Sequence, residues 1–262
     1  MGKQWKNPPV YFVIAQVRFN PVLSVGSYIA KIQEDFRKAD FPDFKKGFNI
    51  VFNPNVLTGF KAGEEMPIQQ TERYVFSNTD GMDVFILDQN GLTLHTTAYK
   101  TFSVLMEAFL SRLEYLRTTL GLSFSDRIGL RYLDAVMPTS KDKLRDYLIP
   151  EAFGLQDKVK GTTQHSFTES MIEVSGAKLL SRVVIQNGPV GVPPDLQSMN
   201  GKLAPRFATY QGEYAIIDTD CFIDVRGGID RATIQKKFHV LHEHVDAAFY
   251  ATITEHAVAT WS

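Results

Sequence analysis

Asp126-Arg127-Ile128-Gly129-Leu130-Arg131-Tyr132-Leu133-Asp134-Ala135-Val136 decides how this chain is read. It follows a long amphipathic helical pattern, and the order of elements that precedes it begins again after it. We read it as a central strand that opens a second half.

Immediately before it, residues 99–120 place Phe102, Leu105/Met106, Phe109, Leu113, Leu116 and Leu120 on one stripe, and Gly121 supplies a C-terminal stop. Such a stripe is core. Further back, 69–77, 82–88 and 91–97 read as three antiparallel strands, because Asn78-Thr79-Asp80-Gly81 and Gln89-Asn90-Gly91 tolerate the positive φ of tight hairpins. The segment 42–67 is less regular, with a short strand at 48–52 and loop markers at Gly59, Gly63 and Pro67. A first strand at 11–19 keeps Val13, Ala15, Val17 and Phe19 on a core face. A helix at 24–39 follows, stopped by Asp40-Phe41-Pro42.

After the pivot, 139–148 reads as a short helix ending at Pro150, and 163–174 with 178–186 as a hairpin across Ser175-Gly176. Residues 188–212 carry Pro189, Pro193, Pro194 and Pro205 without a clear period, which suits a lid, a binding loop or a disordered insert. A strand at 213–225 and one long helix at 230–259, N-capped by Asp230, close the chain.

Strand, helix, antiparallel strands and long helix thus occur twice, and Arg18-Phe19 is echoed by Arg131-Tyr132. The expectation is an α+β protein of two tightly joined halves, 1–122 and 123–262, with a loop insert at about 188–212. Long amphipathic helices should cover one face of a curved antiparallel sheet, in tandem β-α-β-β-β-α units. TATA-binding-protein-like and helix-grip folds have this layout, an analogy that carries no function.

The 262 residues are 44% hydrophobic and 22% charged, ordinary for a globular chain. Lys plus Arg is 28 against 29 for Asp plus Glu, so the basic excess of a nonspecific nucleic-acid binder is missing. The lone Cys221 excludes an intrachain disulfide and a Cys-rich zinc site, and it falls on a core face. The polar residues 1–9 and the lack of a long apolar run make no membrane contact and a cytoplasmic location the expectation.

Asp218, Asp220 and Asp224 share one face of the late strand with Tyr214, Ile216 and Phe222. Two carboxylates so spaced suit Mg²⁺ bridging substrate phosphates, and Arg18, Arg127 and Arg131 suit an anion or those same carboxylates. The plainer reading is a structural Arg–Asp network tying the halves together, and it is preferred because unpaired buried charge is costly. On the last helix His239, His242 and Asp246 share a flank. His242-Glu243-His244-Val245-Asp246 resembles H-E-x-x-H only superficially, since Asp stands at the second His position. Asp218, Asp220, His239 and His242 are therefore weak metal candidates, and no residue is assigned as catalytic.

Val13 to Val22 (VIAQVRFNPV), Arg127 to Tyr132, Asp218-Thr219-Asp220 and Leu241-His242 together resemble a sporadically distributed family of uncharacterised prokaryotic proteins. That resemblance implies fold-level support, and a patchy occurrence like that of defence, toxin–antitoxin or immunity genes.

The leading expectation is a non-catalytic cytosolic component that binds a protein partner, as an antitoxin, immunity or defence accessory protein. No cofactor is expected, and a homo-oligomer stays open. The alternatives are a metal-dependent phosphoester or nucleotide enzyme on Asp218 and Asp220, with Arg18 and Arg131 gripping phosphate, and a sensor of small anionic ligands on the same face.

Overall fold

The computed structural model describes residues 5–51, 69–156, 158–197, 199 and 202–262. Gly59, Gly63, Pro67 and the far end of the strand expected at 48–52 lie outside the described residues.

Among the described residues nine strands form one open, wholly antiparallel sheet: β1 (Val10–Phe19), β2 (Asp43–Val51), β3 (Gln69–Ser77), β4 (Asp83–Asp88), β5 (Gly91–Thr96), β6 (Ser125–Val136), β7 (His165–Val174), β8 (Ala177–Gly188) and β9 (Gly212–Ile223). Their spatial order is β2-β3-β4-β5-β1-β6-β9-β8-β7. The first meander returns β5 beside β1, and the second returns β9 beside β6. β1 and β6 pair with each other at the centre, so one sheet runs through both halves.

Local chemistry sets the turns. Asn78 Oδ1 accepts the Met82 and Asp83 amides at 3.0 and 3.2 Å, and Gly81 takes φ +69. At the β7–β8 hairpin both Ser175 and Gly176 adopt positive φ, the geometry a two-residue turn needs to match strand twist.

The helices are α1 (Val25–Lys38), α2 (Phe102–Leu120), α3 (Leu144–Tyr147), α4 (Pro205–Ala208), α5 (Arg231–Thr252) and α6 (Glu255–Trp261). α1 ends where Asp40 enters the left-handed region, ahead of Pro42. α2 starts on Thr101, whose side chain accepts the Val104 amide, and stops at Gly121 with φ +67. Asp230 caps α5 by accepting the Thr233 amide at 2.9 Å.

α1, α2 and α5 bury one sheet face: Phe36, Phe109, Phe238 and Leu241 meet Val13, Val17, Phe85, Leu130 and Cys221. A second cluster under α6 joins Tyr147, Phe153, Ile217 and Trp261. Among the described residues no helix is long and apolar enough to cross a membrane.

Three expectations need correction. The single helix at 230–259 is two, because Ile253 turns extended to bridge Leu148, and Thr254 caps α6 by accepting the Ala257 amide. The helix expected at 139–148 shrinks to α3, followed by a 3-10 turn at Pro150–Phe153. The third concerns 188–212, which is no free loop. Val190, Leu196 and Phe207 are buried against Tyr11, Phe12, Ile14, Leu133 and Ile216 on the sheet face away from α1, α2 and α5. Tyr11 and Tyr214 donate their hydroxyls to the carbonyls of Gly191 and Pro189, at 2.9 and 2.7 Å.

Candidate functional site

On the insert-covered face, alternation along β6 and β9 places Arg127, Arg131, Asp218 and Asp220 side by side. Arg131 is directly opposite Asp220, yet its guanidinium turns diagonally to Asp218. Nε–Oδ1 and Nη2–Oδ2 are both 2.7 Å, a bidentate fork. Arg131 Nη1 reaches Asp195 of the insert at 2.5 Å. Asp218 Oδ2 also accepts from Arg182 at 3.2 Å, and Arg182 Nε binds Glu169 at 2.7 Å. One chain of charge thus links the insert, β6, β9, β8 and β7.

Electrostatics follow the geometry. Burial opposes the Arg131 charge, but Asp218 and Asp195 prevail and raise its pKa. Burial likewise opposes ionisation of Asp195, and the bond to Arg131 overcomes it. Among the described residues Asp220 has no such partner, so burial leaves its carboxyl raised, with Arg131 and Arg127 only partly countering.

The other two arginines stand apart. Arg127 donates to Asp224 at 2.7 Å and lies 3.7 Å over the Phe222 ring. Arg18 is exposed and opposite Arg127, whereas Arg131 is opposite Ile14. Arg18 and Arg131 therefore do not converge. Nor does the network tie the halves across their seam: β9 sits beside β6 rather than β1, and the whole chain of charge stays in the second half. Among the described residues no group of three or more His, Cys, Asp or Glu is arranged to hold a metal ion.

On the helix-covered face, sequence reading missed a second cluster. β6 sends Tyr132 and Asp134 to this side, Tyr99 arrives after β5, and α5 supplies His242 and Asp246. Tyr132 donates to the Tyr99 hydroxyl at 3.0 Å. His242 Nδ1 is 3.6 Å from Asp246, and its ring stacks on Phe102 at 4.0 Å, while His239 meets Phe102 edge-on. Asp134 is 5% exposed, and no described residue donates a hydrogen bond to its side chain. Burial, then Asp246, pushes it up to about 8. Burial raises Asp246 and lowers His242, each partly offset by the other. His239, His242 and Asp246 were legible as one flank, but Asp134 and Tyr132 come from a distant strand. The available signal was an acid set among Leu130, Tyr132 and Val136 on one face of β6.

A third feature is His95 on β5. It is fully buried, stacked on Phe12 at 5.2 Å, with neither ring nitrogen hydrogen-bonded. Burial lowers it to about 4.

Fold and sites together define an α+β protein on an open nine-stranded antiparallel sheet, braced by an internal ion-pair chain. No protein-family model matches the chain, and no curated protein matches it.

Proposed function

We propose that this is a non-catalytic protein-binding component, of the antitoxin, immunity or defence-accessory kind, acting in the cytoplasm. The observation that carries the reading is β7. This ten-residue strand forms one end of the sheet, pairs among the described residues only with β8, and exposes Phe167, Met171 and Ile172. A strand edge with unpaired amides and carbonyls is a template for strand addition, and apolar side chains beside it supply pockets for alternate residues of the incoming strand.

The Arg–Asp set favours the same conclusion. Both oxygens of Asp218 are engaged by arginines, which suits bracing better than metal-assisted phosphoester chemistry on Asp218 and Asp220. An origin by duplication, in the style of TATA-binding-protein-like folds, belongs to this reading too. It is supported by the way each meander returns to pair with its own first strand.

The experiment compares proteins retained from the native host by the parent chain and by Phe167→Arg/Met171→Arg. Retention of a defined partner by the parent, and its loss with the variant, is expected. Identical retention by both removes β7 as the contact surface.

A further inference from the structure

His95 and the insert lie on one side of the sheet. Cross-strand register sets His95 beside Ile14, on the face away from α1, α2 and α5. Its ring stacks on Phe12, and Phe12 and Ile14 share one buried cluster with Val190, Leu196 and Phe207 of the insert. Two residues further along, Thr97 donates its hydroxyl to the Lys202 carbonyl at 2.6 Å, so the same end of β5 holds the insert down. Among the described residues neither Nδ1 nor Nε2 of the buried ring has a hydrogen-bond partner. An imidazole left so is tolerated only while neutral, because its cation would have no counter-charge and no water.

The charged and titratable groups facing this region are Tyr11 and Arg18 on β1, Asp88 on β4, Arg131 on β6, and Asp195 and Lys202 of the insert. None of them bonds to the ring. Water can reach His95 by two routes. Parting the ladders on either side of β5 would break backbone bonds to both β1 and β4. Lifting the insert breaks none, because its described residues between β8 and β9 join no strand ladder. Side chains hold it instead: Tyr11 to Gly191, Tyr214 to Pro189, Thr97 to Lys202 and Arg131 to Asp195. Segments held by a few isolated contacts open before the sheet beneath them.

We propose that the insert is an acid-released strap, which lifts when His95 takes up a proton and uncovers the apolar face of Phe12, Ile14, Leu133 and Ile216. The device is independent of β7. Burial holds His95 at about 4 under the strap, against 6.5 when wet, so the open form gains on the closed one as pH falls between those values. The gain is about twentyfold from pH 7 to 5. Arg131 holds the Asp195 carboxyl below its ordinary range, so that contact stays ionised over the same interval and is not the trigger.

Hydrogen exchange read by mass spectrometry from pH 7 to 5, with rates referred to the unstructured peptide at each pH, measures the opening. Protection of the Leu196 and Phe207 amides, both bonded within the insert, should fall about twentyfold while β1 and β6 keep theirs. His95→Leu should make insert protection independent of pH. Asp195→Asn, at an exposed position, should retain the parent's fall, and it keeps the test decisive should His95→Leu fail to fold. Constant insert protection in the parent, an equal fall in His95→Leu, loss of the fall in Asp195→Asn, or a fall shared by β1 and β6 overturns the proposal.

Discussion

Arg131 grips Asp218 with both arms of its guanidinium, at 2.7 Å each, although Asp220 is the residue directly across the ladder. The diagonal choice lets one arginine serve β9 and the insert together, because its third nitrogen is left free for Asp195. Breaking the pair leaves an uncompensated charge in a site where Arg131 is 8% and Asp218 2% exposed. Arg131→Met or Asp218→Asn should each cost roughly 3–5 kcal/mol in urea denaturation. Asp195→Asn should cost under about 1 kcal/mol, because the Asp195 side chain is 58% exposed and solvent screens its contribution. Equal losses at Asp195 and Asp218 would show that the insert, and not the sheet, is what the network holds.

Asp134 and His95 predict an uneven pH profile. Asp134 rises from its ordinary 3.8 to about 8, so the folded chain keeps a proton that the unfolded chain gives up. Its contribution makes stability fall as pH rises through that window. His95 drops from 6.5 to about 4, so its contribution is full above 6.5 and is lost as pH falls toward 4. The two slopes oppose each other below pH 6.5, and only that of Asp134 continues above it. His242 and Asp246 shift in the same pair of directions. Stability should therefore decline between pH 6.5 and 8, with a limiting slope of about 1.4 kcal/mol per pH unit. Denaturation at fixed ionic strength should show that decline, and Asp134→Asn should abolish most of it.

His95→Leu isolates the acid limb. The substitution removes two unsatisfied buried nitrogens but also the stack on Phe12, worth about 0.5–1.5 kcal/mol. Near pH 7 the variant should lie within about 1 kcal/mol of the parent. Its advantage should then widen steadily as pH is lowered from 6.5 toward 4. A constant difference across that range would mean that His95 takes up its proton without disturbing the core.

Much of this fold was legible because periodicity and turn chemistry agreed. Asn78 to Gly81 and Ser175-Gly176 fixed two hairpins, and the stripe from Phe102 to Leu120 fixed α2. The insert was not legible. It packs through isolated anchors, Val190, Leu196 and Phe207, that follow neither helical nor strand spacing. The candidate site was half legible. Alternation put Arg131 and Asp218 on one face, but the diagonal bond depends on a cross-strand register that β6 and β9 acquire only in the sheet. Asp134 hid in plain sight, since an acid in a strand suggests a solvated face until a helix is packed over it.

The join between α5 and α6 carries its own prediction. Thr254 Oγ1 accepts the Ala257 amide and donates to the Asp146 carbonyl, and the Thr254 amide bonds to Tyr147 at 2.9 Å. Thr254→Ala keeps the amide bond and loses both hydroxyl bonds. A loss of about 1–2 kcal/mol is expected, at the upper end for an N-cap because two contacts go together. Thr254→Ser should recover most of it. Equal behaviour of the two variants would place the break in the extended Ile253 backbone alone.

Finally, the charges on β7 bear on whether its partner is another copy of this chain. Opposed residues of two antiparallel strands must share a face, so a two-fold axis falls on a residue. An axis at Met171 sets Glu169 against Glu173. At Ser170 it sets Glu169 against Met171 and Phe167 against Glu173. Like charges directly opposite destabilise a pair, and an acid against an apolar residue gains nothing. Self-pairing is therefore the weaker use of this edge, and a foreign strand with basic residues at alternate positions is the stronger one. Glu173→Lys converts the Met171-centred register into two Glu–Lys pairs. By sedimentation equilibrium it should dimerise about two- to thirtyfold more tightly than the parent, at two pairs of roughly 0.2–1 kcal/mol each. A parent that already dimerises through β7 as tightly as this variant would show that the acids do not set the choice of partner.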